Sequence, residues 1–461
     1  MTLLDQQIAA IDHAAPMELR GTVTHVRGLA VQVADFAAPV GATAHIVTRD
    51  RGAQHIAAQV VGFEQDQSIL MPMGPTSGIR RGDPVITDQF VQMVRVGPGV
   101  RGRVLDAEAN PIDDAGPISD TALRPLHGRL IDPLQRPRID TALPVGIRAV
   151  DAMISVGRGQ RVGVFASPGL GKSTLLGMMA RHTAADVSVI ALVGERGREV
   201  RQFIDGHLGP EGLKRSVVVA ATSDEPAIRR IRAALTALAI AEYFRNQGKD
   251  VLFIMDSLTR FCQAQRQVGL SAGEPPTTKG YPPSVFAILP TLLERCGRTR
   301  CGSITGFFAV LTETDEAADP IADAARGVLD GHVQLSRVLA ERAHWPAIDV
   351  LGSISRVADD VTTAEHRDAR GQVIRVLSAY RQVEDMLNIG AYASGANPDF
   401  DLAIAAKPSI DQFLQQGGHE VDGQADFGRT SQQLLALVRQ FEVARQQLRS
   451  AAGPPPPRGP Q

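Results

Sequence analysis

At 461 residues, with 44% hydrophobic and 21% charged residues, the chain has apolar material for several packed domains and is neither disordered nor fibrous. A formal net charge of −2 removes any global polybasic argument for nucleic acid or anionic lipid. Cys262, Cys296 and Cys301 form no metal-ligand spacing or disulfide framework, the start at Met1 lacks the pattern of a signal peptide, and no stretch nears 18 apolar residues, which together fit a reducing cytoplasm and no membrane span.

Residues 1–18 place Leu3, Leu4, Ile8 and Ile11 at rough helical spacing, either a frayed terminal helix or a docking segment. From 19 to 90 short alternating runs such as Thr22–Val26, Val31–Val33, His45–Val47 and Gln59–Phe63 are punctuated by Gly and Pro, which predicts a small β-barrel. Residues 91–150 are rich in Pro and Gly and read as a connection. Beyond it, to about 365, near-continuous apolar runs alternate with helical segments: Arg161–Ala166, Val187–Val193, Val217–Ala221, Val251–Met255 and Ile304–Leu311. That alternation predicts an α/β domain with a parallel sheet covered on both faces. Residues 366–450 are helical, with Leu434, Leu437, Val438, Phe441 and Leu448 on one stripe, and the Pro-rich tail 451–461 is unsuited to a helix.

The first apolar run opens into Ala166-Ser167-Pro168-Gly169-Leu170-Gly171-Lys172-Ser173-Thr174, followed by a helical segment. Strand, Gly-containing loop, Gly-Lys-Ser and helix make a phosphate-binding loop, in which backbone N–H groups cradle phosphate oxygens, Lys172 reaches the outer phosphates and Ser173 places a hydroxyl on Mg²⁺. The usual first glycine is Ala166, so the loop requires strand-like dihedrals there. Ligands of such sheets sit beyond the carboxyl ends of the strands. Glu195 follows one run and is a general base, an indirect Mg²⁺ partner or a solvated loop residue. Asp256 ends another and is the expected partner of the Mg²⁺ shell, with Arg260 facing the same site or forming a surface ion pair. Ser353-Ile354-Ser355-Arg356 is placed after the last strand, where Arg356 could reach a neighbour's phosphate, although spacing alone does not establish it. Trp345 is either core or an aromatic that stacks on adenine.

Longer phrases carry a resemblance. Pro133–Ile139, Gly146–Asp151, Gly157–Arg161, the loop beginning Phe165-Ala166, Gly273–Thr277, Gly280–Phe286, Pro320–Asp323, Leu329–His332 and Leu387–Tyr392 resemble the ATPases of type III protein secretion and flagellar export, relatives of the rotary ATP synthase catalytic subunit, across roughly residues 20–440. The resemblance implies a small N-terminal barrel, a RecA-like phosphate-loop domain and a helical C-terminal domain. It implies ATP and Mg²⁺ as ligands, with Lys172 and Ser173 at phosphate and metal, Asp256 at the metal, Glu195 as catalytic glutamate and Arg196 on the γ-phosphate side. Arg260 belongs to the second nucleotide motif, and Arg356 is the arginine finger acting across a subunit interface. Trp345 stands where the family has a Tyr that stacks on adenine. The implied assembly is a cytoplasmic homohexamer at the inner face of the inner membrane, working with central stalk and stator proteins, export chaperones, their substrates and the export gate, and with no nucleic acid. The phrases lean toward an injectisome over a flagellum. The alternative, a rotary ATP synthase catalytic subunit, would carry an acidic loop that Asn388–Ala396 lacks. A non-catalytic nucleotide-holding subunit usually loses the carboxylate present here as Glu195, and a hexameric RNA translocase would need basic or aromatic pore loops that do not stand out.

Overall fold

In a computed structural model the described residues are 18–49, 54–128, 131–312, 319–417 and 425–451. The expectations for residues 1–17 and 452–461, and for 418–424 within the segment expected to be helical, lie outside them.

Six strands close a barrel in the order β1-β2-β5-β4-β3-β6: β1 (Leu19–Arg27), β2 (Ala30–Ala34), β3 (Thr43–Val47), β4 (His55–Glu64), β5 (Gln67–Pro72) and β6 (Pro84–Gln89). Burial alternates along β3 and most of β4, as two-residue periodicity demands when one face is filled and the other wet. Val31, Val33, Ile46, Val60, Leu70 and Val85 fill the interior. Gly21 permits the closure, because a Cβ there would lie 2.6 Å from Cβ of Phe36 and 2.8 Å from the Ala34 carbonyl.

The Pro/Gly-rich stretch is more than a connection. β7 (Met93–Val96) pairs with β9 (Ala122–Pro125), and β8 (Val104–Leu105) adds to the edge of the main sheet. Two-residue strands leave too short a periodicity to be read from sequence.

The main sheet runs β17-β16-β10-β15-β13-β11-β12-β8, with β14 (Gly297–Arg298) pairing off β15. Its central strands are β10 (Arg161–Ala166), β11 (Val187–Val193), β12 (Ser216–Ala221), β13 (Asp250–Asp256) and β15 (Ser303–Leu311), all mutually parallel where they pair. Every residue of β11 is buried. Its side chains alternate between two cores, Val189, Ala191 and Val193 on one face, Ile190 and Leu192 on the other. That is why the run reads as unbroken apolar sequence.

The sheet is not wholly parallel. β16 (Gly331–Leu335) runs parallel to β10, but β17 (Ile348–Ser355) is antiparallel to β16. Ser353, Ile354 and Ser355 therefore belong to the last strand, contrary to their expected place after it, and Arg356 is the first residue beyond. Polar serines and the half-wet burial of an edge strand masked it.

The C-terminal helices Ala364–Asn388, Pro398–Leu414 and Phe427–Ala451 turn Val373, Leu402, Ile410, Leu434 and Phe441 into the core that also holds Leu175, Leu176 and Met179 of the helix after the phosphate loop. Deep on the other side, Arg295 meets Glu242 through two 2.8 Å hydrogen bonds, with both residues under a tenth exposed. Arg295→Met is expected to cost about 3–5 kcal/mol by stranding the Glu242 charge. In denaturant titration the double variant Arg295→Met/Glu242→Leu should recover most of that loss, and an unchanged midpoint for Arg295→Met alone would count against it.

Candidate active site

The loop departs from the carboxyl end of β10, where the neighbours of the sheet part to either side. Ala166 is the last residue of β10, paired with Leu311, so it keeps extended geometry as the sequence requires. The left-handed turns fall on Gly169 (φ +85°) and Gly171 (φ +75°). Gly171 caps the helix Lys172–His182, whose first-turn amides have no intrahelical acceptor and carry the positive end of the helix dipole. A Cβ on Gly171 would come within 3.0 Å of the Trp345 ring, so glycine also allows that ring to approach.

Lys172 Nζ donates to Asp256 Oδ1, and Ser173 Oγ lies 3.5 Å from Asp256 Oδ2. Asp256 ends β13 and is 1% exposed. A buried carboxylate and a hydroxyl on the first helical turn are hard oxygen donors, too few to cage a cation without phosphate oxygens. Among the described residues no group of three or more His, Cys, Asp or Glu forms a metal cage. The donor set fits an Mg²⁺ ion held largely by its nucleotide.

Glu195 stands two residues past β11, and Arg260 Nε donates to its Oε1 at 3.0 Å. Burial, the nearby Asp256 charge and a hydrogen bond with Glu199 push the Glu195 carboxyl up to about 7, outweighing Lys172 and Arg260. Glu199 is held below the ordinary range, chiefly by that same bond. Glu199 was not singled out from the sequence, although its spacing of four from Glu195 is a usable signal. Arg196 is exposed and turns to Glu199, with Nη1 3.2 Å from Oε1. The structure therefore brings Lys172, Ser173, Glu195, Asp256 and Arg260 together, with Arg196 at their rim.

Arg356 is elsewhere. Ser355 pairs with Gly331, and Gly331 with Val162 near the start of β10, whereas the loop leaves after Ala166. Four residues of strand separate the two levels, about 13 Å at roughly 3.3 Å per residue. Arg356 is exposed, and Ile354 beside it is a half-exposed apolar side chain.

Trp345 is joined to Pro346 by a cis bond and lines a mainly apolar cavity of 290 Å³ with Gly169, Gly171, Thr174 and Gln416. At 42% exposure the ring is a cavity wall rather than core. A larger cleft of 640 Å³ among the C-terminal helices contains none of these residues.

A barrel, a phosphate loop on a central strand and a helical end are the parts of an ATP synthase α/β-type nucleotide-binding ATPase. Family models agree: the ATP synthase α/β β-barrel domain matches residues 23–87 and the nucleotide-binding domain 146–355. The T3SS EscN ATPase C-terminal domain matches 362–436. The flagellum-specific ATP synthase of Bacillus subtilis is 48% identical over 87% of this chain and 91% of its own. The type 3 secretion system ATPase of Sinorhizobium fredii is 44% identical over 89% and 90%. The assembled ATPase EscN of enteropathogenic E. coli superposes with a TM-score of 0.84 at 40% identity, covering 91% of this chain and 100% of EscN. The chain belongs to the family of flagellar and type III secretion ATPases, and it is an ATPase. Among the described residues no helix is long and apolar enough to cross a membrane.

Proposed function

We propose that the chain drives type III protein export as a ring-shaped homohexamer, releasing chaperones from export substrates and unfolding them. The carrying observation is the exposed Arg356 at the opposite end of β10 from its own phosphate loop. An arginine so placed serves a neighbour's nucleotide, so each site combines two copies. Lys172 and the amides of residues 166–174 bind the phosphates. Ser173 and Asp256 would hold Mg²⁺, which would neutralise charge on the bound nucleotide's phosphates. Glu195 orients the attacking water and takes its proton, Arg260 fixes the Glu195 carboxylate, and Arg196 faces the γ-phosphate from the rim. Trp345 stacks on the adenine.

The solved complex of EscN with its central stalk EscO supports a stalk as one partner. Stator proteins, the export gate and the cytoplasmic face of the inner membrane complete the proposed setting. Flagellar relatives match at 42–48% identity and secretion relatives at 43–46%, overlapping ranges, so the reading is type III export as such. Cells carrying Lys172→Ala in place of the parent chain should export none of the apparatus's substrates. Export at the parental level, with the purified variant unable to hydrolyse ATP, would remove the export role.

A further inference from the structure

The base cavity is closed by a residue from outside the sheet domain. Gln416 lies just after the helix Pro398–Leu414, and is only 4% exposed. Its backbone N–H donates to the Trp345 carbonyl at 2.8 Å. Its side-chain amide bridges two more groups: Nε2 donates to the Gly146 carbonyl at 2.7 Å, and Oε1 accepts from the Arg148 N–H at 2.9 Å. Gly146 is itself fixed, since its N–H and that of Val145 donate to the two oxygens of Asp151. Arg148 returns a bond from Nε to the Phe413 carbonyl at 2.9 Å, one turn back along the same helix. One residue, through its backbone and its side chain, thus ties the segment before the loop-bearing strand, the tryptophan and the C-terminal helices into a single joint.

We propose that Gln416 is a positioning residue for the purine base: it sets the Trp345 ring through the backbone bond and locks the helical domain against the cavity through its amide. The inference rests on the ATP-site reading above. A buried amide meeting both a donor and an acceptor is costly to replace, because each partner left unpaired keeps its desolvation penalty. The phosphates are held by other elements, so Gln416 affects only ligands that carry a base.

That separation gives the test. Trp345 is the sole tryptophan, so the intrinsic fluorescence of the full-length protein reports the ring directly. ATP and inorganic tripolyphosphate are titrated, each with Mg²⁺, into the parent, Gln416→Met and Lys172→Ala, with affinity read by calorimetry and ring environment by fluorescence. Gln416→Met should raise the Kd for ATP about tenfold, the loss expected from one or two buried hydrogen bonds, and shrink the ATP-induced fluorescence change, while leaving the Kd for tripolyphosphate unaltered. Should Gln416→Met fail to fold by circular dichroism, Gln416→Glu keeps the acceptor for Arg148, loses the donor to Gly146, and is read the same way. An unchanged ATP affinity, or equal weakening of both ligands, overturns the proposal. Lys172→Ala separates it from the underlying reading: if that variant binds both ligands as the parent does, the phosphate site itself is misplaced.

Discussion

Arg356→Ala is expected to bind ATP as tightly as the parent and to turn it over on the order of 10³-fold more slowly, the scale on which arginine fingers act. Binding survives because phosphate contacts come from Lys172 and the loop amides of the same chain, whereas Arg356 emerges from β17 level with the start of β10. Charge that spreads over the γ-phosphoryl oxygens in the transition state would lose its cationic partner, while the ground-state nucleotide loses little. A stronger form of the test mixes two inactive proteins. Lys172→Ala supplies a sound Arg356 but no phosphate grip, and Arg356→Ala supplies the reverse, so some interfaces of a mixed ring have both. Partial recovery of hydrolysis on mixing is expected. No recovery, or parental turnover by Arg356→Ala alone, would place the arginine outside the chemistry.

Glu195→Gln should lower turnover by about 10²–10⁴-fold, the usual worth of a general base, with ATP binding retained. The parent should also show an acid limb in kcat/KM. A carboxyl lifted to about 7 is protonated below that pH and unable to take a proton from water, so activity should rise as pH increases through about 7 and level off above it. Two neighbours set this limb in opposite senses. Burial and the Asp256 charge raise the group, and Arg260 at 3.0 Å lowers it. Arg260→Met should therefore push the limb to higher pH. Loss of the limb in Glu195→Gln would assign it to this residue; its persistence in that variant would assign it to another group.

Much of the architecture was legible in residue order alone. Doubly covered strands are uniformly apolar, so β10, β11, β12, β13 and β15 stand out, and the loop after β10 has a spacing that few other structures demand. What escaped the reading obeys weaker local rules. β8 is two residues long, and β17 alternates serines with apolar residues at an edge, where one side is wet. In the site, residues just past strand ends could be named because topology points there. Glu199, which acts through another carboxylate, left only its spacing from Glu195 as a signal, and Gln416 left none, since it arrives from a segment more than 200 residues from the phosphate loop. Arg196 was assigned by resemblance to the phosphate side, and its side chain lies against Glu199 at the surface.

The antiparallel strand β17 has a consequence for how neighbouring sites communicate. Trp345 lies just ahead of its first residue and Arg356 just beyond its last. β17 joins the proposed base contact of one site to the group proposed to serve the next, and it pairs with β16 at both ends, Ile348–Asp349 and Ile354–Ser355, with a bulge between them. With both ends held to β16, a shift of one end reaches the other through only the short bulged stretch between them. In the proposed ring, nucleotide arrival at one interface would be passed on as displacement at the adjoining one, with a sigmoidal dependence of hydrolysis on ATP concentration as the signature.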